Sequence, residues 1–66
     1  MFIKLTTSED KTIMVNMYNI NTISIFSDRD IVYTRIELNS NRDRIYVKDT
    51  FDEVTNKIER FRLIYD

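Results

Sequence analysis

The chain contains no cysteine, histidine, glycine or proline. Without cysteine it cannot form a disulfide, and without cysteine and histidine it lacks the ligands of the usual zinc sites. The absence of glycine excludes the glycine loops that bind phosphates in P-loop and dinucleotide-binding proteins. The turns must therefore use Asn, Asp and Ser, which tolerate left-handed backbone conformations better than other residues. We expect no metal ion and no cofactor.

The same absences argue against an enzyme. Histidine is the commonest general base, and cysteine is the most nucleophilic side chain in proteins. No carboxylate or lysine in the sequence has an evident partner that would position it for catalysis. A short chain with one helix also has little depth in which to exclude water from a reacting centre. We therefore expect a non-catalytic protein with no catalytic residues.

The charge balance narrows the class of partner. Ten basic and eleven acidic residues give a net charge of −1, whereas proteins that coat duplex nucleic acid carry a large positive excess. No apolar run reaches the roughly 18 residues that a membrane span requires. The first residues, 1–6, have the pattern of a strand rather than of a signal peptide. We expect a cytoplasmic protein that binds neither a membrane nor duplex DNA.

The length of 66 residues predicts a single domain, residues 1–66. A chain this short buries only roughly 60% of its unfolded surface, so its core is small. Small domains are commonly reinforced by disulfides, a metal or a partner subunit. Because the composition excludes disulfides and the usual zinc sites, association with a second copy is the remaining way to stabilise so small a core.

Alternating apolar and polar residues predict an α+β fold, a small antiparallel sheet of about four to five strands followed by one C-terminal helix packed on one face. The strands are predicted at about residues 2–6, 12–17, 21–26, 31–38 and 44–47. The side chains expected to face the helix are Ile3, Leu5, Ile13, Val15, Met17, Ile23, Ile25, Val32, Thr34, Ile36, Leu38, Ile45 and Val47. Turns are expected at 27–30 and 39–43.

The helix, predicted at about residues 51–64, has the clearest signal. Thr50 and Glu53 have the spacing of a capping box, in which each side chain accepts a hydrogen bond from the other residue's amide. Glu53 and Lys57 have the four-residue spacing of a favourable ion pair. The apolar stripe of the helix comprises Phe51, Val54, Ile58, Phe61 and Tyr65, and its three- and four-residue steps define one helix face.

One helix covers one face of a sheet, so the opposite face needs an explanation. By alternation that face carries Phe2, Lys4, Met14, Ser24, Phe26, Ile31, Tyr33, Arg35, Glu37, Arg44, Tyr46 and Lys48. Its six large apolar or aromatic side chains would approach the largest apolar patch usual on a monomer. We therefore expect this face to meet another copy, a partner protein or a ligand.

Three interpretations of the mixed tyrosines and arginines stay open. The first is simple pairing of these side chains across strands, with Arg35 or Arg44 beside Glu37. The second is an oligomer interface, where tyrosine and arginine are enriched; the predicted interface residues are Phe2, Met14, Phe26 and Ile31. The third is a ligand-binding surface, because tyrosine rings stack on bases and arginines bind phosphates. The predicted ligand-binding or partner-binding residues are Tyr33, Arg35, Arg44, Tyr46 and Lys48.

The order of short motifs along residues 2–58 resembles a known layout. The chain opens with Ile3-Lys4-Leu5-Thr6, and Ile45-Tyr46-Val47-Lys48-Asp49-Thr50 leads to Glu53-Val54 and Ile58. This order resembles small FlbD-type flagellar proteins, and also small uncharacterised proteins of phages and other mobile elements. The resemblance implies a sheet-plus-helix module without catalysis, and it supplies no site residue. The chain departs from the flagellar family in lacking hairpin glycines.

Two functions follow as hypotheses. The first is a non-catalytic, homo-oligomeric binding protein, phage-like in setting, which inhibits or recruits a protein partner by stoichiometric binding. The alternative is a sponge that sequesters a nucleotide signal or another small anionic ligand, with Tyr33 and Tyr46 stacking on the base. A flagellar accessory role is a further alternative.

Overall fold

The computed structural model describes residues 1–39 and 43–65, with side chains described as far as residue 61. This part of the chain forms five strands and one α-helix. Their bounds are β1 Phe2–Thr6, β2 Thr12–Asn16, β3 Ile20–Asp28, β4 Ile31–Leu38, β5 Arg44–Val47 and α1 Phe51–Tyr65. The predicted α+β class is confirmed. The predicted loop at 39–43 falls largely outside the described residues, as do the side chain of Tyr65 and those of its neighbours.

Two strand ends differ from the predicted ones. β2 ends at Asn16, because the Asn16 side chain accepts a hydrogen bond from the Tyr18 amide at 3.1 Å and caps a 3₁₀ turn, Met17–Asn19. β3 continues to Asp28, which still pairs with Ile31. The turn after β3 is therefore shorter than the predicted 27–30.

The strands form two antiparallel sheets, β1–β2 and β3–β4–β5. The sheets meet at β5, where Thr7 pairs with Val47 in an isolated bridge. On either side of that bridge the Ser8 amide donates to the Tyr46 carbonyl at 2.9 Å, and the Lys48 amide donates to the Thr6 carbonyl at 2.8 Å. The two sheets are thus joined edge to edge over a few residues, which we call the junction.

The core lies between the sheets and the helix. Its buried apolar residues are Ile3, Leu5, Val15, Ile36, Val47 and Val54. Full burial of one such side chain stabilises the fold by about 1.5–3 kcal/mol. β3 adds only the partly buried Ile20 and Ile23, so it is held less firmly on its inner side than β4.

Two residues expected in the core are exposed. Ile25 and Val32 are 65% and 64% exposed, respectively, so the prediction that they face the helix is wrong. The reason is the position of α1: the hydroxyl of Thr34 donates to the carbonyl of Asp49 at 2.6 Å, which places the start of the helix level with Thr34. Ile25 pairs with Thr34, and Val32 lies farther along the β3–β4 hairpin. The hairpin therefore extends past the helix, and we call Ile25 and Val32 the overhang patch.

Candidate functional site

The predicted ligand-binding or partner-binding residues lie on β4, on β5 and directly after β5. They alternate with the buried Thr34, Ile36 and Val47, so they mark the face of β3–β4–β5 that points away from the core, which we call the outer face. The register places Phe26 opposite Tyr33 and Arg35 opposite Tyr46. These four side chains are all half-buried. The sheet thus brings together aromatic rings from three strands around one arginine.

Arg35 packs against the Phe26 ring. Its guanidinium carbon lies 5.7 Å from the centroid of the Phe26 ring, and its Nε donates to the hydroxyl of Ser24 at 3.3 Å. The rings of Phe26 and Tyr46 are 5.1 Å apart between centroids and tilted by 57°, a geometry that contributes about 0.5–1.5 kcal/mol beyond area burial. Cross-strand packing is therefore observed at the centre of the outer face.

The other predicted cations pair with acidic side chains. Arg44 Nε lies 3.8 Å from Glu37 Oε2, as the cross-strand interpretation expected. Lys48 forms an ion pair with Asp10 from the turn between β1 and β2. Exposed pairs of this kind contribute about 0–1 kcal/mol. They nevertheless show that Arg44 and Lys48 have partners at the rim of the outer face.

A shallow groove of about 310 Å³ crosses the outer face. Its lining residues are Ser8, Phe26, Asp28, Tyr33 and Tyr46. The two tyrosines predicted to stack on a ligand do share this groove. However, its one charged lining residue is an aspartate, which repels the phosphate of a nucleotide.

The predicted interface residues fall into two separate groups. Phe2 and Met14, which are 56% and 59% exposed, lie on the β1–β2 hairpin. Ile31, which is 54% exposed, lies at the start of β4 beyond the half-buried Phe26. They stay predictions, and they do not form one continuous surface within the outer face.

A second groove, of about 300 Å³, lies on the core side of the β3–β4 hairpin. The overhang patch and Phe51, at the start of α1, supply its apolar lining. Lys48, Asp49 and Asp52 are also among the lining residues. Sequence reasoning missed this surface because alternation places Ile25 and Val32 on the core-facing side.

Asp49 is a further residue that the sequence analysis did not single out. Its Oδ1 accepts a hydrogen bond from the Thr6 amide at 2.7 Å, and its Oδ2 accepts one from Lys57 Nζ at 3.1 Å. Lys57 also donates to the Lys4 carbonyl at 2.6 Å. Lys57 therefore binds Asp49 and β1 rather than the expected partner Glu53. These contacts join β1, β5 and α1.

The electrostatics of Asp49 follow from these contacts. Burial raises the pKa of Asp49, but hydrogen bonds from the Thr6 amide and Lys57 outweigh it, so that the pKa lies below its usual value of 3.8. Stabilising the charged form of a carboxylate lowers its pKa. Asp49 is therefore ionised at neutral pH, and its carboxylate holds β1 and α1 together.

Within residues 1–39 and 43–65, no cluster of three or more aspartate or glutamate side chains has an arrangement that would hold a metal ion. Among the same residues, α1 falls short of the length and apolarity of a membrane-crossing helix.

Comparison of the chain with protein-family models, with curated proteins and with solved structures gives no match. The resemblance to FlbD-type flagellar proteins therefore stays a prediction.

Proposed function

We propose that this chain is a non-catalytic, self-associating protein that acts by stoichiometric binding to a protein partner. The observation that carries the proposal is the exposure of Ile25 and Val32, 65% and 64%, on the face that the sheet uses for its core. Single exposed apolar residues are normal on any protein. These two lie side by side along a groove with the half-buried Phe51, which makes them a candidate contact surface.

The size of the core supports self-association. A chain of this length buries a smaller share of its unfolded surface than a larger domain does, and β3 contributes no fully buried residue to the core. Covering a β-branched side chain completely is worth about 1.5–3 kcal/mol. Contact between two copies through the hairpin would cover Ile25 in both copies, so each dimer would be stabilised by the burial of two such side chains.

The state of the titratable groups supports a role without catalysis. The pKa of Asp49 lies below its usual value. A perturbed pKa in a cleft often marks a catalytic group. Here the Asp49 carboxylate is held by the Thr6 amide and Lys57, so the shift has a structural cause.

The outer face favours a protein partner over a small anion. Arg44 and Lys48 each pair with a carboxylate, and Arg35 is packed on Phe26. A phosphate would have to displace these contacts. The nucleotide sponge therefore ranks second in our proposal. The phage-like setting and the cytoplasmic location expected from the sequence belong to the same proposal.

Sedimentation velocity across a range of concentrations tests self-association. We expect the wild type to sediment above the monomer mass and Ile25→Ser to raise the dissociation constant at least tenfold, because the serine removes apolar contact area. Tyr18→Ser is the matched control: Tyr18 is 67% exposed but lies on the 3₁₀ turn, Met17–Asn19. It should assemble like the wild type.

A wild-type protein that remains a monomer at every concentration would contradict the proposal. An equal weakening by Ile25→Ser and Tyr18→Ser would show that general surface hydrophobicity, not the overhang patch, drives association. Circular dichroism of both variants checks that the fold is kept.

A further inference from the structure

β3 is an edge strand over its whole length. It comprises nine residues, Ile20–Asp28, and in the described part of the chain its strand neighbour is β4, on one side. The backbone N–H and C=O groups of alternate residues on the other side of such a strand point away from the sheet. They form a ready site for a further strand.

The composition of β3 leaves this edge unprotected. Natural proteins block edge strands with lysine, proline, bulges or a very short length. β3 has no lysine, arginine or proline; its charged residue is Asp28, at the end. Its register irregularity lies at the opposite end, between Ile20 and Thr22. The other outer strand, β2, has five residues and offers roughly half the pairing length.

We infer that two copies of this chain pair antiparallel along their β3 edges, an inference that rests on the proposed self-association. The outward-pointing backbone groups belong to every second residue. A two-fold axis therefore requires odd-numbered residues to pair with odd-numbered ones and even-numbered residues with even-numbered ones. The two central registers place the axis at Ser24 or at Ile25. The first pairs Ile25 with Ile23 of the second copy, and the second pairs Ile25 with its own counterpart.

Both registers place Ile25 beside an isoleucine and avoid a charge conflict. Asp28 then lies opposite Ile20 in the first register and opposite Thr22 in the second. Like charges directly opposite each other destabilise a pair of strands, and neither register creates such a pair. The product is a continuous six-stranded sheet in which the β3–β4–β5 sheets of two copies share one hydrogen-bonded ladder.

Disulfide cross-linking tests this pairing directly, because the native chain has no cysteine. Residues at the axis of an antiparallel pair have Cα atoms roughly 4.5–5.5 Å apart, within the limit of about 7 Å for a disulfide. We expect Ser24→Cys or Ile25→Cys to form a covalent dimer under mild oxidation, at least tenfold faster than the control.

Val32→Cys is the matched control. Val32 is on the same hairpin and the same face as Ile25, with 64% against 65% exposure. It lies on β4, so two copies would be separated by about three strand spacings, or ~14 Å. Its thiol should therefore remain largely free while the thiol of the β3 cysteine at the axis, Ser24→Cys or Ile25→Cys, is consumed.

The outcomes separate the inference from the proposed function. A wild type that sediments as a monomer overturns both. A wild type that sediments as an oligomer, with neither β3 cysteine cross-linking, overturns the edge pairing and leaves self-association through another surface. Cross-linking of Val32→Cys as fast as the faster of the two β3 cysteines indicates face-to-face packing and also overturns the edge pairing.

Discussion

Asp49 shows how one side chain can set the arrangement of several elements. It follows β5 directly, and its carboxylate reaches the end of β1 through the Thr6 amide and α1 through Lys57. Its side chain is only 12% exposed, so these hydrogen bonds compete little with water. The position of the helix relative to β1 therefore depends on a charged residue outside the apolar core.

Asp49→Asn should lower the free energy of unfolding by about 1.5–3 kcal/mol, the usual range for hydrogen bonds to a charged group. The asparagine can still accept from the Thr6 amide, but its amide nitrogen then faces the Lys57 ammonium, and two donors meet. Urea denaturation at pH 7 measures the loss. Asp30→Asn, in the exposed turn after β3, is the control and should be nearly neutral.

The loss should also depend on pH in a defined direction. The folded-state pKa of Asp49 lies below 3.8, so its contribution is fully present above that value and disappears as the pH falls through the folded pKa. The stability difference between wild type and Asp49→Asn should therefore be constant near neutrality and shrink below about pH 4. A stability difference that grows on acidification would contradict a stabilising role of the ionised Asp49 carboxylate.

At the scale of elements, the start of α1 was predictable from two residues. Thr50 and Glu53 form the expected capping box: the Thr50 amide donates to Glu53 Oε1 at 3.0 Å, and the Glu53 amide donates to Thr50 Oγ1 at 3.1 Å. This motif is local, so no tertiary contact competes with it. The end of β3 was less predictable, because Ser27 and Asp28 are typical turn residues but pair here with Val32 and Ile31.

Thr50→Ala should cost about 1 kcal/mol, the usual effect of removing an N-cap hydroxyl. The Glu53 amide would lose its acceptor, and the first turn of α1 would fray. Thermal or urea denaturation followed by circular dichroism measures the effect. Glu53→Gln is the control, since glutamine retains an acceptor for the Thr50 amide. Equal losses in the two variants would mean that charge at the helix start, not the reciprocal hydrogen bonds, provides the stabilisation.

At the scale of the whole molecule, periodicity predicted the class of fold but not the coverage of the sheet. The alternation that places Leu5 in the core is the same alternation that pointed Ile25 inward, yet only Leu5 is buried. The difference depends on where the helix lies, and that depends on contacts such as those of Asp49. Similarly, the pairing of Arg44 with Glu37 followed from the sequence, whereas the packing of Phe26 on Tyr46 required the register of three strands.

The junction at Thr7 and Val47 has a consequence for how the molecule opens. Among the described residues, the backbone hydrogen bonds that connect the β1–β2 sheet to the β3–β4–β5 sheet are those of the bridge and the two flanking ones donated by the amides of Ser8 and Lys48. Ile36, in contrast, lies in the central strand and is fully buried. The β1–β2 hairpin contributes Ile3, Leu5 and Val15 to the core, but a junction held by so few backbone hydrogen bonds opens at lower free energy than the global transition.

Hydrogen exchange followed by NMR should therefore show the amides of Ser8 and Lys48 exchanging together, and well before that of Ile36. Their common rate would report a partial unfolding step in which the β1–β2 hairpin separates from β5 while the other sheet persists. Protection at Ser8 equal to that at Ile36 would show instead that the whole chain unfolds as a single cooperative unit.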